Sequence, residues 1–233
     1  MSLNGIDAAV WSWWIDHRSE ALTPAVTVLT TLTTPTMIAG CAIFAALVIA
    51  ARTRRAWPAL VLPLAVIVAN LASHLLKPVI GRERPPELYR LVEEANHALP
   101  SGHATGVAAL AMILTLWLGR GRATTASVRW LIGGVWVLAS AVSLTRLYLG
   151  VHWFTDILAG LVLGSAVAAV SWWLFHRASG KHSTSSRLGK GADQDDLDQP
   201  LRVVHRKRPG GDGIFGGTPN IATGEGFGMS DNG

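Results

Sequence analysis

Charged side chains are scarce in this sequence. Asp, Glu, Lys and Arg make up only 15% of its 233 residues, where a soluble domain carries about 25%. Cysteine is nearly absent. Cys41 stands alone inside an apolar run, which excludes an internal disulfide and leaves the redox compartment unread. No basic n-region opens the chain, and Asp7 and Asp16 flank its only early apolar patch. A cleavable signal peptide is therefore not expected, and the first membrane helix would serve as its own targeting signal. No internal repeat is visible. What the chain has instead is apolar residues, half of the total, with ten tryptophans and a mean hydropathy of +0.35. Trp11, Trp13, Trp14, Trp57, Trp130, Trp153, Trp172 and Trp173 lie near predicted helix ends, where indoles favour the membrane interface. The net charge of +5 then reports cytoplasmic loops and anionic headgroups rather than nucleic acid.

Residues 3–20 place Leu3, Ile6, Val10, Trp13 and Trp14 on one helical stripe, with Asp7, Asp16, His17 and Arg18 elsewhere. This predicts a short amphipathic helix in the membrane interface. Residues 22–51 form the first long apolar run, interrupted by Pro24 and Pro35, and predict one tilted or kinked span. Further spans are predicted over 57–76, 103–118, 128–148 and 154–175. The expected fold is all-α, a polytopic transmembrane helix bundle of five spans, or six if the N-terminal helix inserts. Its parts are the interfacial helix (1–20), the transmembrane domain (21–178) and a polar C-terminal tail (179–233). That tail is expected to be disordered, because it has too few apolar residues to offset its ordering entropy. Basic clusters at 52–55, 120–129 and 177–190 alternate with the spans as cytoplasmic loops do. The protein is thus expected in the plasma (inner) membrane, multi-pass, with its tail cytoplasmic. Loop 77–100 and the stretch 145–153 then face the extracytoplasmic side.

Three polar islands share that side. Lys77 and Arg84-Pro85 offer a point charge and a planar fork suited to phosphate. Pro100-Ser101-Gly102-His103 opens the third span. Ser101 can cap that helix, Gly102 lets backbone approach an anion, and the free N–H groups attract one. Arg146, His152 and Asp156 form the third island. His152 and Asp156 are four residues apart, which on a helix puts them on one face. Alone, the pair suits a structural ion pair as well as an activated nucleophile. Glu83, Glu93 and Glu94 read as solvated loop charges and His74 and His97 as structural or solvated, while Arg82 is left open.

Taken as a set, K-x6-R-P, P-S-G-H and R-x5-H-x3-D resemble the three signature motifs of the type 2 phosphatidic acid phosphatase superfamily, over roughly residues 57–175. Thr145 stands where that family usually has serine. The resemblance implies a membrane lipid phosphate phosphatase in which His152 attacks phosphorus, Asp156 orients it and His103 acts as general acid and base. Lys77, Arg84, Arg146, Ser101 and Gly102 would bind the phosphoryl group. No cofactor is implied, and no metal, since the motifs offer no further ligand cluster. The favoured substrate is a polyprenyl diphosphate of the undecaprenyl type. Phosphatidate or phosphatidylglycerophosphate is the alternative. A phosphotransferase using the same histidines, and a non-catalytic protein that binds or transports lipid phosphates, are the competing functions. The oligomeric state is not readable.

Overall fold

The computed structural model describes residues 3–54, 59–120 and 125–195, with side chains placed for those between 4 and 177. All regular structure among the described residues is helical. The helices are α1 (Leu3–Asp16), α2 (Thr23–Leu32), α3 (Pro35–Thr53), α4 (Val61–Ile80), α5 (Gly102–Leu118), α6 (Ala126–Tyr148) and α7 (Phe154–Asp195), with a 3-10 turn at Glu87–Tyr89. The chain divides into two compact units, residues 1–187 and 188–233, and the bundle belongs to the first. Helix continues from 179 to Asp195. The rest of the expected disordered tail, 196–233, lies outside the described residues.

The apolar run 22–51 is not one kinked span. It breaks at Thr33–Thr34 into α2 and α3. Pro35 disfavours helical geometry at the residue before it, and Thr34 is accordingly extended (φ −58°, ψ 153°). Its hydroxyl accepts from Met37 N at 3.3 Å, so the break doubles as the N-cap of α3. Helix α4 stops at Gly81, whose φ of +65° closes the turn while its N–H donates to Lys77 O.

Four segments are long and apolar enough to cross a membrane: Pro35–Thr53, Val61–Ile80, Ala126–Tyr148 and Phe154–Arg177. The remaining predicted span, α5, has 17 residues, about 25 Å of helix, short of a bilayer core of about 30 Å. It is the buried centre of the bundle, with His103, Ala104, Thr105, Gly106, Val107, Ala108, Ala109, Ala111 and Ile113 all buried. Leu62, Val66, Ala69, Ile113 and Val142 form the core around it. Large apolar side chains such as Phe44, Leu47, Leu64 and Val162 remain on the outside, as a lipid-facing surface requires. Close approach of α7 to α5 depends on glycine: a Cβ at Gly164 would lie 2.1 Å from Thr105 O. That contact sets the start of α7 against the start of α5, where the polar islands meet.

Candidate active site

Helix α1 docks at this end of the bundle. Val10 and Trp14 pack against Ala104, Leu147 and Ile157, so the apolar stripe read from the sequence is used. Asp7 is not on a solvated face, however. It is 2% exposed and points at the start of α7. Thr155 N donates to its Oδ1 at 2.9 Å, and Thr155 Oγ1 and Arg82 Nη2 donate to its Oδ2 at 2.6 and 2.5 Å. Burial pushes the Asp7 carboxyl up, but the bonds from Thr155 and Arg82 outweigh it and hold the group below the usual carboxylate range.

His152 and Asp156 do meet, although not as a pair on one helix. His152 lies in the bend before α7, and Asp156 is in the first turn of that helix. From the third helical position the carboxylate reaches back, as an acid does in a capping box. Its Oδ2 accepts Trp153 N at 2.8 Å and faces His152 Nδ1 at 3.3 Å. Its Oδ1 accepts Arg82 Nη1 at 2.6 Å. Both side chains are fully enclosed. Facing a carboxylate, Nδ1 carries the imidazole proton, which leaves Nε2 with its lone pair. Arg84 Nη1 sits 3.2 Å from that Nε2. Burial, then the positive Arg84, Arg146 and Lys77 and the neighbouring His103, pull the His152 imidazole well below its ordinary value of 6.5. It is therefore neutral, the form in which nitrogen attacks. The preceding turn from α6 requires Gly150, with φ +73° and a would-be Cβ only 2.7 Å from Tyr89 O.

The loop from 81 to 101 folds over this pair. Ala98 N donates to Arg82 O and Leu91 N to Leu149 O. Arg84 ties the loop internally through Asn96 O and Asn96 Oδ1, both at 2.6 Å, while its Nη1 also reaches Val151 O at 2.8 Å. Lys77 Nζ donates to His97 O at 2.7 Å, so His97 supplies a carbonyl rather than its ring. Arg146, 1% exposed, donates to Thr30 Oγ1 at 2.7 Å and pairs with Glu94. Glu94 also lies 3.4 Å from Arg84. It is thus not a solvated loop charge but a carboxylate held between two of the expected phosphate-binding cations.

A cavity of about 480 Å³ results. Lys77, Arg84, His103 and His152 line it together with Gly102, His74, Ser73, Asn70, Thr34, Glu94 and Asn96. Arg146, Ser101 and Asp156 are buried next to it, Arg146 through its pair with Glu94, Ser101 beside Gly102 and Asp156 against His152. His103 Nε2 is 3.2 Å from Thr30 O. A carbonyl only accepts, so Nε2 holds the proton and Nδ1 is the basic nitrogen. Ser101 occupies the N-cap position of α5 but makes no capping bond. Its Oγ and Arg146 Nε are buried without a hydrogen-bond partner. A Cβ at Gly102 would meet Pro35 at 3.5 Å and Ser73 Oγ at 4.0 Å, both ordinary contacts, so no protein atom forces glycine there. What the missing side chain leaves is room in the cavity. Thr145 keeps its hydroxyl bonded to Val142 O at 2.6 Å, in its own helix. Among the described residues no group of three or more His, Cys, Asp or Glu has metal-binding geometry.

Sequence reasoning missed Asp7, Thr30, Glu94 and Asn96, and it left Arg82 open. The long polar loop between spans, 77–100 in the sequence, was the one signal pointing to Glu94 and Asn96, since loops of that length inside a domain tend to be functional. Nothing local marks Thr30, which contributes a main-chain oxygen as well as its hydroxyl.

The PAP2 superfamily model matches residues 58–179. Phosphatidylglycerophosphatase B of Bacillus subtilis is 32% identical over 114 residues, 48% of this chain and 55% of its own. Decaprenylphosphoryl-5-phosphoribose phosphatase of Mycobacterium tuberculosis is 33% identical over 122 residues, 51% and 61% of the two chains. Undecaprenyl-diphosphatase of Sulfolobus acidocaldarius is 32% identical over 132 residues, 54% and 59%. The chain thus spans little more than half the length of the curated relatives it matches. A crystal structure of a transmembrane PAP2-type phosphatidylglycerolphosphate phosphatase from Bacillus subtilis superposes with a TM-score of 0.67 at 23% identity, covering 75% of this chain and 87% of that one. The helical fold is therefore shared. The matched segment runs through all three polar islands and over more than half of the sequence, and this protein belongs to the PAP2 superfamily.

Proposed function

We propose that this chain is a membrane-embedded phosphatase that removes phosphate from a lipid phosphate or diphosphate. The observation that carries this is the convergence of Lys77, Arg84 and His103 with the His152–Asp156 pair on one cavity. In this reaction His152 Nε2 attacks phosphorus while Nδ1–H stays on Asp156, which stabilises the charge gained by the ring. The bond to the leaving oxygen breaks, and His103, which takes up a proton once the phosphoryl anion is bound beside it, delivers that proton to the leaving oxygen. His103 then takes a proton from water, the hydroxide attacks the phosphohistidine, and orthophosphate and neutral His152 are regenerated. Lys77, Arg84 and Arg146 stabilise the charge on the phosphoryl oxygens. A phosphoryl group would also satisfy the leftover donors Ser101 Oγ and Arg146 Nε. These cations supply the electrostatics without a metal ion.

A polyprenyl diphosphate is the favoured substrate, in line with two relatives whose names contain polyprenyl carriers. The lipid chain stays in the bilayer beside the apolar outer faces of the bundle. The site opens to the extracytoplasmic side. Helices α5 and α7 begin at the cavity and run away from it toward Arg120 and Arg177, which stack on Trp172 and Trp173 at 4.2 and 4.0 Å. Cations at that end fit a cytoplasmic face. The test is phosphate release by purified protein from undecaprenyl diphosphate, phosphatidate and phosphatidylglycerophosphate, in EDTA. Activity on at least one of them, abolished by His152→Ala, is expected. Full activity in that variant would remove the nucleophile assignment, and loss of activity in EDTA would remove the metal-free scheme.

A further inference from the structure

The carboxylate of Asp7 comes from the first helix, 148 residues before the α7 backbone N–H that it accepts. It touches neither His152 nor the cavity. Instead it binds the two residues on either side of the catalytic acid's environment. Thr155 donates both its N–H and its hydroxyl to Asp7. The N–H is one of the unpaired donors that every helix N-terminus leaves, so α1 caps α7 from outside. The Arg82 fork is shared between Asp7 (2.5 Å) and Asp156 (2.6 Å). A chain of contacts thus runs Asp7, Arg82, Asp156, His152.

Two physical consequences follow. First, the turn that carries Asp156 is fixed in place by α1, so the carboxylate cannot rotate away from His152 Nδ1. Second, Arg82 alone against Asp156 would form a neutral pair, and the field of the carboxylate would be spent on the guanidinium. A second carboxylate leaves the trio with one net negative charge beside the imidazole, where a phosphohistidine would carry positive charge.

We infer that Asp7 is a positioning residue: through Arg82 and Thr155 it sets the orientation and the available charge of Asp156, and hence the reactivity of His152. This rests on the phosphatase reading given above. The role assigned to Arg82 follows with it, as the link between two acids rather than a contact to substrate.

The isosteric change Asp7→Asn keeps an acceptor for Thr155 N–H and removes the charge. It is expected to lower kcat about tenfold to a hundredfold, the cost of a slightly displaced reactive group. KM should stay within about twofold, because the cavity that receives phosphate is untouched. Arg82→Gln should cause a similar loss, and the Asp7→Asn/Arg82→Gln double variant should be no slower than the slower single variant, since both cut one chain. Asp7→Glu, which retains the charge, should recover part of the rate. Asp16→Asn, an exposed acid on the same helix, should behave as wild type. A mere docking role for α1 predicts additive losses and no recovery by glutamate. Should Asp7→Asn fail to purify as a folded protein, Arg82→Lys cuts the same chain while keeping the cation, and the same kcat loss at constant KM is required of it. Wild-type kcat in either variant, additive losses, or an effect confined to KM would overturn the inference. Inactivity of the wild type on all three lipids would instead overturn the phosphatase reading itself.

Discussion

Glu94 occupies the place between Arg146 and Arg84 that a phosphoryl group is proposed to take. Replacing it with glutamine should therefore harm the empty protein and help the phosphate complex. Opposite charges about 4 Å apart attract by roughly 4 kcal/mol at an effective dielectric near 20. Truncating one member of a buried pair costs about 2–5 kcal/mol, mainly through the charge left behind. Glu94 is 24% exposed, so the lower end applies, about 2 kcal/mol. For a chain of this size that corresponds to a Tm lower by several degrees. Phosphate then binds without evicting a carboxylate. If most of the 2 kcal/mol returns as affinity, the inhibition constant of orthophosphate falls about tenfold or more. Thermal unfolding in detergent across a phosphate titration reads both effects. Glu94→Gln should start lower than wild type and rise further. Product-inhibition kinetics give the same constant independently. A variant that binds phosphate no better than wild type, or more weakly, would refute the competition and make Glu94 part of the phosphate-holding machinery.

Two further predictions concern protonation and sidedness. His152 has a folded-state pKa well below 6.5, so the unfolded chain binds the extra proton as pH falls. Its contribution to stability is complete above about pH 6.5 and is lost below it. Between pH 7.5 and 5.5 the wild-type Tm should decline, and His152→Gln should flatten part of that slope; an unchanged slope would place the proton elsewhere. For sidedness, Leu88 is 88% exposed on the loop over the site. In a Cys41→Ser background, Leu88→Cys should react with an impermeant thiol reagent in intact cells, and reaction only after lysis would invert the orientation.

The residues that meet at the cavity were legible because their types and spacings are local. Lys77, Arg84, His103, His152 and Asp156 come from three short strings, and the fold brings all three to one cavity. The i,i+4 spacing of His152 and Asp156 pointed to the right pair for the wrong reason. The pair meets because an acid in the first turn of α7 reaches back across the bend, not because both sit on a helix face. The break at Thr33–Thr34 was signalled by Pro35, but a proline in an apolar run is compatible with a kink as well as with a full break, and the kink was expected. Asp7 and Thr30 were not legible. Their partners lie more than 70 residues away in sequence, at Thr155 and His103, and a carbonyl such as Thr30 O can come from any residue type. Glu94 looked like any loop acid, since only the folded loop sets it on Arg146.

The two contacts made by Thr30 bear on where the proposed catalytic unit ends. Its carbonyl faces His103 and its hydroxyl holds Arg146, yet it precedes the segment that the family model matches, residues 58–179. Asp7 lies further outside still. A fragment cut to that segment would keep every signature residue and lose the partners that hold a ring and two guanidiniums in place. The segment matched by the family and the set of residues that holds the proposed site together are therefore different stretches of chain. Grafting the former onto another N-terminal half would transplant the reagents without their clamps.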